Sequence, residues 1–312
     1  MAIKDRTFAA PHIKAASADE GDICASAVIL EARGLLTTQR SGAQTLDNER
    51  GLFGNDLQRR LQAAALAAAG EYRDTPGAVF AARMAGTDDP KKFGWDRIEG
   101  ILRNEGAITF RMIPINRCAQ IEQRLAEIGC TISWWDVFDG PSDEIRAACE
   151  RIVNRPREDF VLIEPSASDD AAFFECAQAF MAECGVAPYP TQVLSGGLGP
   201  VAFAVLLNPE DGSVVATAFS YFPYNRHSTH RKSAWAGLVA VRDDLRGRGL
   251  GAFVNALVLK KAVEEMGAER IQEFARTSNV ASCKMIEHCG LSLRTDVRSG
   301  IAQPVEAESF TR

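Results

Sequence analysis

Three glycines set among arginines, Arg246-Gly-Arg-Gly-Leu-Gly251, stand where a strand pattern hands over to a helix pattern. Val239 and Val241 precede the run in an extended apolar stretch. Leu250, Phe253, Val254, Leu257, Val258 and Met266 then recur with the period of one helical face, and Gly267 is placed to end it. A helix start reached through glycines leaves backbone N–H groups pointing into the loop, where the helix dipole also favours negative charge. Arg246 and Arg248 add positive charge there. The chemistry open to these residues is to hold an anion, a pyrophosphate above all.

Two nucleotide classes use cradles of this kind. A nucleotide-hydrolase P-loop ends in Gly-Lys-Ser/Thr, whereas this loop ends Gly251-Ala252-Phe253. A dinucleotide fingerprint is nominally present as Gly247-x-Gly249-x-x-Ala252. That fingerprint belongs directly at a strand end with a full βαβ series after it. Here residues 242–246 intervene, and only short elements follow.

The elements that must position the loop are legible in outline. Helices are expected over residues 25–35, 56–72, 95–104, 117–128, 142–153 and 171–184, and a polar loop over 37–50. Strands are expected over 78–84, 107–113, 131–138, 160–163, 201–207, 214–221, 234–241 and 270–276. Asn208-Pro-Glu-Asp-Gly-Ser213 makes a hairpin of two of them. The adjacent Trp134 and Trp135 must point to opposite faces of their strand, so one of them meets a cleft or an interface.

Composition narrows the function classes. With 312 residues, 46% hydrophobic and 24% charged, the chain can build two globular domains. A net charge of −6 weighs against a nucleic-acid surface. No apolar run is long enough to span a membrane, and residues 1–8 are too polar for a secretory signal. The eight cysteines form no C-x-x-C pair, and Cys176, Cys184 and Cys289 read as small core residues. The four histidines show no metal-ligand spacing, so no metal is expected. These features point to a reduced, cytoplasmic protein.

Arg246-x-x-Gly249-x-Gly251 after Val239-x-Val241 resembles the acyl-CoA signature of the GNAT N-acetyltransferase superfamily. A second element of that family lies at the expected distance: Asn279, the small Ser282, Met285, Gly290 and Leu291. Ile286 departs from the pattern, standing where the family usually has Tyr. The resemblance covers residues 158–296 and implies an α+β (mixed α/β) chain. Residues 158–312 would form a GNAT domain with a central mixed, largely antiparallel sheet flanked by helices. Residues 1–157 would form an N-terminal α/β domain, whose run over 107–138 resembles the degenerate half of tandem GNAT proteins. A structural or dimerising domain is the other reading of that half, and a homodimer stays open.

The resemblance also implies a co-substrate, acetyl-CoA, and an acceptor, a primary amine of a small molecule or peptide. The backbone of Val239, Ala240 and Val241 would bond the pantetheine arm as an added strand does. Gly247, Arg248, Gly249, Leu250, Gly251 and Ala252, with Arg246, would take the pyrophosphate, while Asn279 holds the arm and Ser282 leaves it room. An attacking amine of pKa about 10.4 must lose a proton. Glu273 is the candidate base, with His227 and His230 as rivals on the loop 222–233. Ile286 cannot protonate the leaving thiolate, which leaves Tyr224, Tyr221, Cys283 or solvent. The alternative is a non-catalytic CoA-binding or sensing protein with a degenerate site.

Overall fold

The computed structural model describes residues 51–155, 157, 159–166 and 169–307; the helix and loop expected over 25–35 and 37–50 lie outside them. The first half runs α1 (Asp56–Ala67), α2 (Ala69–Tyr72), β1 (Ala78–Phe80), β2 (Ala85–Thr87), α3 (Pro90–Phe93), α4 (Trp95–Asn104), β3 (Ile108–Pro114), α5 (Ile115–Glu127), β4 (Cys130–Pro141) and α6 (Ser142–Val153). Asn55 starts α1 with a capping box: its side chain accepts from the Gln58 N–H and its own N–H donates to the Gln58 side chain. The single strand expected over 78–84 is instead the antiparallel hairpin β1–β2, because the chain reverses at Ala82, whose φ is 64°.

The second half runs β5 (Val161–Ile163), α7 (Ala171–Glu183), α8 (Thr191–Leu194), β6 (Val201–Leu207), β7 (Val214–Tyr221), β8 (Ser233–Val241), a 3₁₀ turn at Asp243–Leu245, α9 (Leu250–Glu264), β9 (Arg270–Ala275), α10 (Val280–His288) and β10 (Ser292–Pro304). One ten-stranded sheet holds the strands of both halves in the order β1-β2-β3-β10-β4-β9-β8-β7-β6-β5. Its pairs are antiparallel except β2–β3 and β8–β9. β10, absent from the sequence expectations, lies between β3 and β4: Ile301 faces Thr109 on one side and Ser133 on the other.

Alternation along the strands builds a core on each face. Ala202, Ala204 and Leu206 of β6 pack with Val254, Val258 and Leu259 of α9 and Ile145 of α6. Phe203, Val205 and Leu207 point the other way, to Phe173, Phe174 and Met181 of α7. A third cluster sets Ile98 and Leu102 of α4 with Ile121 and Leu125 of α5 against Phe110 and Ile113 of β3. Among the described residues no helix is long and apolar enough to cross a membrane.

Gly300 marks how closely β10 is held. A Cβ there would meet the Ser133 carbonyl oxygen at 2.6 Å and Trp134 Cε3 at 2.9 Å. Gly300→Val is therefore expected to destabilise the protein by about 1–3 kcal/mol, read as a lower urea midpoint. An unchanged midpoint would mean that β10 does not sit between β3 and β4.

Candidate functional site

β8 and β9 run parallel and pair only at Ser233–Arg270, Ala234–Ile271 and Trp235–Gln272 before they part. One cause lies in β8. Its register with β7 slips between Phe219–Gly237 and Thr217–Ala240, a bulge that bends the strand. Leu238 takes φ 52° there, a left-handed conformation that costs a leucine about 1–3 kcal/mol. Its side chain is buried, and its carbonyl accepts from Thr217 Oγ1 at 3.0 Å. The other cause is β4, which pairs with β9 along its whole length and draws it away. The gap is a cleft of about 360 Å³ between Gly237–Val239 of β8, Glu273–Arg276 beside it, and Asn279, Ser282, Met285 and Ile286 of the next turn and helix. Trp135 and Trp235 wall its inner end. Of the tryptophan pair, Trp134 packs against the α4–α5 cluster and donates to Glu122 at 2.6 Å, while Trp135 is the one that meets the cleft.

The glycine run lies where β8 leads into α9. Gly247 and Gly249 have φ near 77° and 80°, and α9 starts at Gly249 with no side-chain cap. Its first bond runs from the Phe253 N–H to the Gly249 carbonyl at 3.1 Å. The N–H groups of Leu250, Gly251 and Ala252 therefore have no partner within the helix. The two arginines read as phosphate ligands are already engaged at the surface: Arg246 pairs with Asp243 at 2.7 Å, and Arg248 with Asp159 at 3.1 Å. Arg157 is the residue that sequence reasoning missed. Its Nη2 lies 2.9 Å from where a Gly249 Cβ would stand, its guanidinium lies over the Phe253 ring, and its Nε is buried without a partner. The connector 154–159 carries no periodicity to signal this, so only the fold reveals it. Asn279 lines the cleft and also caps α10, its Oδ1 accepting from the Ser282 N–H at 3.2 Å.

The proton-transfer candidates scatter. Glu273 borders the cleft with its carboxyl turned towards α9, where Asn255 Nδ2 donates to Oε1 at 2.8 Å. Burial pushes this carboxyl up to about 7, against the smaller opposing pull of the Asn255 hydrogen bond. Tyr224 does not reach the cleft: it is buried behind it and donates to Gln272 Oε1 at 2.6 Å, and burial pushes its hydroxyl well up. His227 does not reach it either, being exposed on the loop 222–233. That loop is tied to the first half, where Asn225 Nδ2 donates to the carbonyls of Tyr72, Thr75 and Ala78. The His230 ring lies tilted against that of Tyr224 with centroids 5.4 Å apart, Tyr221 donates to the Phe80 carbonyl, and the Cys283 thiol donates to the Arg276 carbonyl. Ile286 is buried in the cleft wall, where it offers no proton.

Residues 177–291 match the model of the acetyltransferase (GNAT) family, which makes this part of the chain a GNAT-type acetyltransferase domain. No curated protein matches the chain. Among solved structures a Drosophila protein is similar at TM-score 0.52 and 13% identity, covering 89% of this chain and 96% of that one. A GCN5-related N-acetyltransferase from Kribbella flavida is similar at TM-score 0.48 and 16% identity, over 71% and 78% of the two chains. A tandem GNAT protein from the clavulanic acid biosynthesis pathway is similar at TM-score 0.48 and 10% identity, over 92% and 97%. The likeness to the Drosophila protein, at 13% identity, is one of fold alone.

The Glu273 carboxyl gives the site a pH signature. It ionises near 7 when folded and near 4.3 when unfolded, so the folded state holds the extra proton between those values. Its contribution to stability is present below about pH 4.3 and is lost as pH rises towards 7. Glu273→Gln keeps an acceptor for Asn255 without the titration. Its stability relative to wild type is expected to rise by a few kcal/mol, roughly, between pH 4 and 8, measured as urea midpoints. A difference that stays constant across that range would show an ordinary carboxyl.

Proposed function

We propose that the protein transfers the acetyl group of acetyl-CoA to a primary amine of a small molecule or peptide, by direct attack of the amine. The observation that carries this reading is the meeting of the β8–β9 fork with the uncapped start of α9. The residues fit the co-substrate: the free N–H groups at Leu250–Ala252 and the orphaned Arg157 Nε want an anion, and the parted edge of β8 wants a strand-like partner. When bound, acetyl-CoA supplies the activated acetyl carbon.

Each group has a task in this reading. Gly247 to Ala252 and Arg157 hold the pyrophosphate, with Arg246 and Arg248 at its rim. Val239, Ala240 and Val241 align the pantetheine arm, and Asn279 and Ser282 border it. Trp135, Trp235 and Phe274 keep water from the inner end. Glu273 takes the amine proton through water once its carboxyl ionises, which gives activity that rises through about pH 7. Ile286 leaves the thiolate without a protein acid, tolerable for a leaving group of pKa about 8.5. Residues 1–157 act as a supporting domain that lends β4 and Arg157 to the catalytic domain at 158–312. The interior of a reduced cell is the compartment that suits these free cysteines.

Ile286 also favours a second reading, a CoA sensor without turnover. Acetyl-CoA at about a hundred times its dissociation constant is expected to stabilise the wild type by about 2.7 kcal/mol. Gly249→Glu, which forces a side chain onto φ 80° against Arg157, is expected to abolish that shift with its circular dichroism unchanged. Arg157→Ala should weaken acetyl-CoA binding by about tenfold or more. Free thiol released on adding amines would exclude the sensor. No shift at all in a folded wild type would sink both readings.

A further inference from the structure

Behind Trp235 and Phe274 the cleft continues into a smaller cavity of about 100 Å³. The two spaces share Arg83, Trp135, Trp235 and Phe274, and no residue of α10 or of the glycine loop lines the smaller one. On the proposed reading, which this inference rests on, the glycine loop and α10 receive the nucleotide end of the co-substrate. The smaller cavity then lies beyond the reacting carbon, where the amine or the far end of an acyl chain must sit.

Arg111 of β3 reaches into this cavity and is only 5% exposed. Trp235 and Phe274 each hold a ring 5.4 Å from its guanidinium carbon. Such contacts stabilise a cation through its faces and leave the N–H groups in its plane unused. Nη2 lies 3.5 Å from the Tyr221 hydroxyl, a long hydrogen bond, while Nε and Nη1 are buried with no partner. Among the described residues no carboxylate lies within 4.0 Å of Arg111. A buried guanidinium with two idle donors and no counter-charge is costly unless something else supplies an anion. Arg83 adds a second cation to the same wall, its Nη1 donating to the Ala187 carbonyl at 2.6 Å.

We propose that Arg111 forms a carboxylate subsite at the inner end of the cleft, so that one partner in the transfer carries a carboxylate beside the reacting group. Planar guanidinium donors match a carboxylate, and the small cavity suits one with little attached to it. The carboxylate can belong to the amine, as in an amino acid, or to the acyl chain, as in a dicarboxylic acyl thioester.

Paired substrates distinguish these sources. With acetyl-CoA, leucine is compared with 3-methylbutylamine, glycine with methylamine, and lysine with 1,5-diaminopentane. With the amines that lack a carboxylate, succinyl-CoA is compared with acetyl-CoA. The expected result is a preference of about a hundredfold or more in kcat/KM for the carboxylate-bearing member of one series. Arg111→Leu should remove most of that preference and Arg111→Lys should restore part of it. Acetyl-CoA stabilisation is read on the same variants: if it is retained while both members of every pair react equally, the subsite is overturned and the acetyltransferase reading stands. If acetyl-CoA itself does not bind, thermal unfolding with leucine, glycine, lysine or succinate alone still decides. A carboxylate that protects the wild type and not Arg111→Leu supports the subsite, and protection by none overturns it.

Discussion

The site exists because two parallel strands are prevented from pairing. Left to themselves, β8 and β9 would continue the ladder that they begin at Ser233–Arg270 and Trp235–Gln272. The Leu238 bulge turns one strand aside, and the antiparallel pairing of β4 from Asp136–Ala275 to Pro141–Arg270 commits the other. Both backbones then enter the fork with peptide groups that the sheet no longer satisfies. Trp135, Trp235 and Phe274 close its inner end, and the glycine loop stands at the outlet of β8. One of the two constraints, β4, comes from the first half of the chain. That half also lends the side chains of Arg83 and Trp135 to the cleft wall.

Periodicity made much of the fold legible. Trp95–Asn104, Ser142–Val153, Val201–Leu207 and Val214–Tyr221 have the bounds that their apolar spacing implies. The reading failed where local pattern and tertiary partner part company. Ser292-Leu-Arg-Thr-Asp-Val297 is too polar to announce a strand, and it forms one because β4 offers an edge to Ser292–Arg294 and β3 takes up the strand from Val297. The loop 222–233 offered His227 and His230 as rival bases by residue type alone. Asn225 is what decides its position, and a single asparagine carries no signal of three distant carbonyls.

Charge was legible by type and not by partner. Arg246 and Arg248 drew attention by standing beside glycines, yet nearness in sequence also placed Asp243 within reach of one of them. The arginines with unpaired donors, Arg111 and Arg157, come from a strand and a connector far from the motif. Glu273 shows the same point for acids. Its type and strand were readable, whereas its neutral form below about pH 7 depends on burial beneath α9.

The place of β10 imposes an order on synthesis as well as on structure. Thr109 Oγ1 donates to the Gly300 carbonyl across 191 positions of chain. At ribosomal rates of about 5–20 residues per second, that separation is a delay on the order of ten to forty seconds. Once Pro141 has been made the edges of both β3 and β4 stand unclosed, and such edges are templates for pairing with other chains. The nascent first half must therefore wait, exposed, for the strand that completes it, which makes the interval before residue 304 emerges the time of greatest aggregation risk.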